Sequence, residues 1–390
     1  MPLSVYSLLK KPACWLFLSM LIGCQPPSET VPGALSYQQA QQAEQRQLTS
    51  QAYDLYRQAS LLGYDAAIAP TIRLAKRQAT TAQQLPAWFQ QLPTASSKAA
   101  AAELLGYWDE LPLTMREQAV ARFKPLGMHH SVTLDGCVAV VQPLLSDQRS
   151  VERWQFLSAQ WPKQALAGVG LCFAKPLLVD YRALNCSQVG RLQCNSQPLE
   201  PLALSINHRL WLLLAGEGGA NYQHGLVSAP VNADWGLLSH ELSHAMGFLD
   251  EYPLSEAVAR SVCQPGTLSS NVLFAKEDVQ RFAKHFALQQ HEITLTEIET
   301  CRQIGLAAWR PVAATTNLQH HEYPLPQLYL TVMAQQLRQI ELAPIHYLLA
   351  MKAKERGDIQ RFEQLMLQAV ELGYTPALSQ IKSERSLTAR

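Results

Sequence analysis

The feature that most constrains the fold is a repeat that occurs near both ends of the 390-residue chain. Residues 55–67 (LYRQASLLGYDAA) align with residues 365–377 (LMLQAVELGYTPA), and seven positions are identical. The identical pairs are Leu55/Leu365, Gln58/Gln368, Ala59/Ala369, Leu62/Leu372, Gly63/Gly373, Tyr64/Tyr374 and Ala67/Ala377. Small residues at this spacing are typical of closely packed helix pairs. We therefore predict helical, repeat-like segments at 36–125 and 326–390.

These segments resemble tetratricopeptide-type helical repeats, with a likeness that covers roughly a quarter of the chain. The resemblance implies a surface for a protein partner. Packing against the rest of the chain remains an alternative role. Two unrelated amphipathic helices that both end in Leu-Gly-Tyr are the other reading of the pattern.

The middle of the chain, residues 126–325, has a different pattern. Apolar and β-branched runs bounded by turn residues predict strands at 131–141, 168–174 and 202–215, and a short edge strand at 226–230. A helix follows directly. The predicted fold class is α+β, with a mixed sheet beside that helix and α-helical segments on either side.

The N-terminus has the pattern of an export signal. Lys10 and Lys11 precede an apolar run at 13–22, which is too short to span a bilayer as a mature helix. The run ends in Leu-Ile-Gly-Cys24, which resembles the lipobox of bacterial lipoproteins. That resemblance implies a signal peptide at 1–23, lipidation of Cys24 and a tether at 24–35. An ordinary signal peptide with an incidental cysteine is the alternative.

The lipobox resemblance also implies a location in the bacterial cell envelope, with the lipid anchor as the contact to a membrane. Gln25 after the cysteine favours the outer membrane of a Gram-negative cell, facing the periplasm or the cell surface. The net charge gives no indication of a nucleic-acid partner, and a local basic patch is the alternative left open. Lys+Arg is 32 and Asp+Glu is 31, so the chain lacks the basic surplus that nucleic-acid binding needs.

Six further cysteines all lie between positions 137 and 301. They are Cys137, Cys172, Cys186, Cys194, Cys263 and Cys301. An even number in an exported chain predicts disulfides, but six cysteines allow about fifteen pairings, and the sequence does not choose among them. A cysteine-ligated zinc site is a weaker alternative, since no C-x-x-C pair occurs.

One predicted helix has the pattern of a metal site. His240 and His244 are four residues apart, so both imidazoles lie on one face and reach one ion. Glu241 is about 100° round the helix from His240, where it can approach a metal-bound water without binding the metal. The opposite face is apolar. Asn232 or Asp234 is the expected N-terminal cap.

The extended pattern His240-Glu-x-x-His244-x-x-Gly247-x-x-Asp250 resembles the metzincin zinc peptidases, in the variant with Asp as the third ligand. The resemblance implies that Gly247 turns the chain so that Asp250 reaches the ion. The Asp-Glu-Tyr ending is also similar to the IgA-peptidase type, in which one more residue precedes the Asp. Glu251 therefore remains an alternative third ligand.

Other residues have weaker assignments. Tyr252 is a candidate transition-state stabiliser or a packing residue. The turn that carries a Met in metzincins corresponds best to Thr316–Tyr323, with Gln in place of the Met, or else to Met333. His320, His321 and Tyr323 are candidates for the metal or the oxyanion, or parts of a polar surface loop. His208 and His224 are expected to be structural.

These patterns predict a zinc-dependent peptidase whose general base is Glu241 and whose cofactor is Zn²⁺. A protein or peptide substrate is expected to pair with a strand within 216–231. The alternative from another class is a lipid-anchored protein-binding scaffold with an inactive peptidase core. A zinc amidase that acts on cell-wall peptide bonds is a second enzymatic alternative.

Overall fold

The structure is a computed structural model, and it describes residues 31–127, 136–187, 189–339 and 342–388. By their contacts the described residues divide into two compact units, one ending at Thr71 and the other beginning at Ile72. Among the described residues, no helix has both the length and the apolar character that crossing a bilayer requires.

The first unit is a helical hairpin, α1 (Ala34–Gln45) and α2 (Thr49–Leu61). The ring of Tyr37 on α1 lies 4.9 Å from the ring of Tyr64, which follows α2. The hairpin turn is closed by a 2.9 Å hydrogen bond from the Leu48 amide to the Ala43 carbonyl. The next helix is α3 (Ile68–Ala75).

The second unit begins with short helices, which are α4 (Ala79–Ala82), α5 (Leu85–Gln90), α6 (Ala95–Leu105) and α7 (Leu113–Ala121). Trp108 ties this region to the chain after the first strand, since its Nε1 donates a 2.8 Å hydrogen bond to the Ser146 carbonyl. A backbone hydrogen bond of 2.9 Å from Tyr181 to Gly106 adds a second link.

The central sheet consists of β1 (Ala139–Leu145), β2 (Leu171–Phe173), β3 (Leu177–Leu178), β4 (Leu210–Leu214), β5 (Asn221–Gln223) and β6 (Leu226–Ala229). The strand order is β2-β1-β4-β6-β5, and β3 also pairs with β1. All pairs are parallel except β5 with β6. The α+β class with a mixed sheet is therefore confirmed.

Two strand predictions differ from the structure. The run at 226–230 forms β6, which is an inner strand, and the edge strand is β5. None of the three residues of β5 is aliphatic or buried, so the sequence has no apolar run at this strand. The predicted strand at 202–215 begins only at Leu210, because Glu200–Ala203 form a short helix. Of the predicted strand at 131–141, residues 131–135 lie outside the described residues.

The remaining elements follow in chain order. They are α8 (Gln148–Gln160), α9 (Tyr181–Leu184), α10 (Glu200–Ala203), α11 (Trp235–Ala245), α12 (Glu256–Val262), α13 (Val279–His285), β7 (Thr296–Ile298), β8 (Ala308–Arg310), α14 (Gln327–Gln339), α15 (Ile345–Glu355), α16 (Ile359–Glu371) and α17 (Pro376–Thr388). β7 and β8 form a separate antiparallel pair.

The six cysteines between positions 137 and 301 all form disulfides, as their even number predicted, and the structure shows how they pair. The pairs are Cys137–Cys172, Cys186–Cys194 and Cys263–Cys301. The last pair lies in a small apolar cluster with α12 and the β7–β8 pair.

The terminal repeat proves longer than the thirteen aligned residues, because the hairpin of α15 and α16 repeats the hairpin of α1 and α2. The Tyr347 and Tyr374 rings lie 5.2 Å apart, close to the 4.9 Å between the Tyr37 and Tyr64 rings in the first hairpin. Buried alanines occupy equivalent positions, which are Ala40/Ala350, Ala43/Ala353, Ala59/Ala369 and Ala67/Ala377. Small side chains at these positions let the two helices of a hairpin approach closely.

Candidate metal centre

The helix that carries the candidate site is α11. Its cap is Asp234, whose side chain accepts a 2.9 Å hydrogen bond from the Leu237 amide. The face formed by residues such as Trp235, Leu238 and Leu242 is buried. Trp235 anchors the helix start through a 3.0 Å hydrogen bond from its Nε1 to the Leu157 carbonyl. The helix is therefore fixed against the core on one face.

The structure brings His240, His244 and Asp250 together, and we call these residues the His–His–Asp cluster. The Nε2 atoms of the two histidines are 3.2 Å apart. Asp250 Oδ1 lies 3.0 Å from Nε2 of His240 and 3.3 Å from Nε2 of His244. Four atoms around one zinc ion at bond lengths near 2.0 Å are about 3.3 Å apart, so these three atoms match three corners of a tetrahedron.

Hydrogen bonds orient both imidazoles. Nδ1 of His240 donates to the Asn317 carbonyl at 2.8 Å, and Nδ1 of His244 donates to the Phe248 carbonyl at 2.9 Å. Because a carbonyl oxygen only accepts, each Nδ1 carries the hydrogen, and the neutral ring has a lone pair on Nε2. Both lone pairs therefore belong to the atoms that face Asp250. This arrangement of partners is typical of histidines that bind a metal.

The cluster needs positive charge at its centre. With neutral histidines, the buried Oδ1 of Asp250 accepts no hydrogen bond from the described residues, and three acceptor atoms face one another. Without a cation, a proton must take that place. Burial would lower the pKa of His244, but the Asp250 carboxylate outweighs it and raises that pKa. Burial would raise the pKa of Asp250, but the two histidines lower it below its usual range.

The turn after α11 presents Asp250 to the histidines. Gly247 has a φ of 80°, a left-handed conformation that glycine adopts without strain, and α11 ends just before it. Asn271 holds the returning chain, since its side chain both accepts from the Leu249 amide and donates to the Leu249 carbonyl. The Thr300 hydroxyl donates to the Asp250 carbonyl at 2.8 Å.

Glu251, the alternative third ligand, has a different environment. Its side chain is fully buried, and its oxygens accept hydrogen bonds from four residues. The donors are Tyr329 (2.6 Å), Thr316 (2.7 Å), Asn271 (3.1 Å) and Arg310 (3.3 Å). Glu251 lies outside the His–His–Asp cluster and links the turn after α11 to α14 and to the segment at 316–318.

Glu241 and Tyr252 both lie beside the cluster. Glu241 is 6% exposed, and burial raises its pKa although His244 and His240 oppose the shift. The Tyr252 ring stacks parallel to the His240 ring at 6.4 Å. Burial, followed by the Asp250 carboxylate, raises the pKa of Tyr252, so its hydroxyl keeps its proton at neutral pH.

The segment predicted as the metzincin-like turn contacts α11. Besides the Asn317 carbonyl on His240, the Asn317 side chain donates to the Gly236 carbonyl at 2.9 Å. His320, His321 and Tyr323 are exposed and lie outside the cluster. Gln319, in the expected Met position, accepts from Arg310 at 2.6 Å, and Met333 is fully buried in α14.

A groove of about 760 Å³ opens beside the cluster. His244 lines it, together with residues of β5, α12 and α15, and most of the lining side chains are apolar. These apolar residues are Tyr222, Phe248, Leu249, Val258, Val262, Tyr347, Leu348 and Met351. His224, expected to be structural, also lines the groove, with its ring 5.5 Å from that of Tyr347. His208 is half-buried, and its carbonyl accepts from Trp211.

The residues that orient the cluster were not predicted from sequence. Asn271 and Thr300 act through single hydrogen bonds across long stretches of chain and belong to no motif. The Phe248 and Asn317 carbonyls are backbone groups, which any residue type supplies. Cys24, the predicted lipidation site, lies outside the described residues.

No protein-family model, curated protein or solved structure matches this chain.

Proposed function

We propose that this protein is a zinc-dependent peptidase of the metzincin type, with His240, His244 and Asp250 as the metal ligands. One observation carries the proposal: three lone-pair atoms converge at 3.0–3.3 Å while both histidine Nδ1–H groups donate elsewhere. A cation satisfies all three atoms at once. Two histidines and a carboxylate leave a position for water, as in catalytic zinc sites.

When bound, zinc supplies a Lewis acid that polarises a carbonyl and lowers the pKa of water towards about 7. Glu241 accepts a proton from the attacking water and delivers it to the leaving amine, a role that typically contributes about 10²–10⁴-fold. Its raised pKa makes it a stronger base than an exposed glutamate. Tyr252, protonated at neutral pH, donates a hydrogen bond to the carbonyl oxygen as that oxygen gains charge.

The peptide substrate pairs with β5. This strand ends the strand order of the sheet and contacts α11, so its outer edge has backbone groups available to an extended peptide near the cluster. The groove beside His244 receives an apolar side chain of the substrate. Both features support a peptide over a small polar substrate.

The domain layout that goes with this function is a peptidase domain at 126–325, between helical repeat-like segments at 36–125 and 326–390. We further propose a lipoprotein in the bacterial cell envelope, anchored through Cys24 after removal of residues 1–23, with the tether at 24–35. The sequence motifs support this anchoring.

A scaffold with an inactive peptidase core is the second candidate. The two matching hairpins favour it, because helical repeats of this kind commonly bind protein partners. Gln319 in place of the expected Met also favours it.

The metal content of a soluble form that lacks residues 1–24 tests the proposal. We expect about one zinc ion per chain, lost in His240→Ala and kept in the control His291→Ala, which changes an exposed histidine away from the cluster. Glu241→Gln should keep zinc and lose peptide hydrolysis. Absence of metal from the zinc-supplied wild type would refute the peptidase proposal, and hydrolysis by Glu241→Gln at the wild-type rate would refute the role of Glu241.

A further inference from the structure

A disulfide-closed loop is fixed to the chain just before β5. The Cys186–Cys194 disulfide closes the loop. The Gly219 amide donates to the Gly190 carbonyl at 2.8 Å, and the Leu192 amide donates to the Gly219 carbonyl at 2.7 Å. Leu192 is also buried in the core. The loop backbone is therefore anchored on both sides of the residue between Gly190 and Leu192.

That residue is Arg191, and its side chain is exposed. Its charge is close enough to Glu241 and Tyr252 to interact with both residues. Its backbone pairs with Gly219, two residues before β5, and β5 contacts α11. Arg191 therefore lies beside the strand on which the substrate is proposed to pair.

The Arg191 guanidinium has no hydrogen bond or ion pair within the part of the chain that the structure describes. By contrast, Lys352, a cation that lines the groove, is paired with Glu355 at 2.9 Å. Arginine stays charged at any physiological pH, and its planar donors match a carboxylate with two parallel hydrogen bonds. An arginine on a fixed backbone, with its donors unused, is suited to a carboxylate of the ligand.

We propose that Arg191 is a specificity-determining residue that binds a carboxylate of the peptide substrate, close to the bond that is cleaved. The carboxylate is either the C-terminal group of the peptide or the side chain of an Asp or Glu. This inference rests on the proposed peptidase function, because it assumes that the peptide lies along β5 over the His–His–Asp cluster.

Zinc-binding probes with and without a carboxylate test the inference on the full chain in detergent. The probes are acetohydroxamate and the monohydroxamates of malonic, succinic and glutaric acids, which differ in reach. We expect the best carboxylate probe to bind the zinc-loaded wild type at least about tenfold more tightly than acetohydroxamate does. In Arg191→Gln this gain should fall below about twofold, while acetohydroxamate affinity is unchanged. Arg191→Lys should keep part of the gain.

The outcomes separate this inference from the proposed function. If acetohydroxamate binds but no carboxylate probe binds more tightly, or if Arg191→Gln keeps the gain, the role of Arg191 is overturned while the peptidase proposal stands. If the chain takes up no zinc and binds no hydroxamate, both fail. For a cleaved peptide, amidation of the C-terminus and Asp→Asn exchange distinguish the two sources of the carboxylate.

Discussion

The buried carboxylate of Glu251 should contribute strongly to the stability of the second unit. In Glu251→Gln the shape is kept, but the negative charge between Thr316, Tyr329 and Arg310 is lost. The Arg310 side chain is 6% exposed, so its charge loses its partner away from water. Removing one partner of a buried pair costs about 3–5 kcal/mol.

Arg310 keeps two acceptors, which places the expected loss at the lower end of that range. Its Nη1 still donates to Gln319 Oε1 at 2.6 Å, and its Nε donates to the Val312 carbonyl at 3.3 Å. We therefore expect a loss of about 3 kcal/mol in the free energy of unfolding. Denaturant titration followed by tryptophan fluorescence measures it.

The matched control is Glu299→Gln. Glu299 pairs with Arg302 at the surface, where the two side chains are 57% and 69% exposed, so its loss should cost less than about 1 kcal/mol. Zinc affinity gives a second readout, since Glu251 holds the chain next to Asp250. A decrease of about 10–100-fold is expected for Glu251→Gln. A stability change as small as that of the control would refute the reasoning.

Two further predictions concern other parts of the second unit. Replacing Cys263 and Cys301 together by Ser should lower the free energy of unfolding, measured by thermal unfolding, by about 2–5 kcal/mol. It should also weaken zinc binding, because Thr300, next to the disulfide, donates a hydrogen bond to the Asp250 carbonyl. An unchanged zinc affinity would contradict this link. Burial lowers the pKa of His346 below its usual 6.5. Below pH 6.5 the unfolded chain therefore takes up a proton that the folded chain does not. As the pH falls through this range, the free energy of unfolding should decrease by at most about 1.4 kcal/mol per pH unit. His346→Gln should lose less stability between pH 7 and pH 5, and an identical pH profile for wild type and variant in urea unfolding would contradict this.

Local sequence determined the parts of the candidate site that one helix and one turn provide. Four-residue spacing puts His240 and His244 on one face, and Gly247 turns the chain in a left-handed conformation that glycine favours. The strand at Leu210–Leu214 was also predictable, because a strand buried on both faces reads as a continuous apolar run.

Residues that act through contacts far along the chain were not predictable in the same way. Glu251 was an alternative ligand in the sequence, and only the fold surrounds it with four donors from separate segments. Arg191 belongs to no motif, and its position depends on a disulfide whose pairing the sequence left open. β5 has too few apolar residues for a strand to be predicted there from the sequence, and it forms only by pairing with β6.

The sequence by itself determined the composition of the candidate metal centre, because its ligands lie within eleven consecutive residues and obey helical and turn geometry. The tertiary structure decided what orients and surrounds those ligands. The imidazoles are oriented by the backbone carbonyls of Phe248 and Asn317. Every residue type has a backbone carbonyl, so the sequence does not show which carbonyls take this role. Such groups become neighbours only when the whole chain packs.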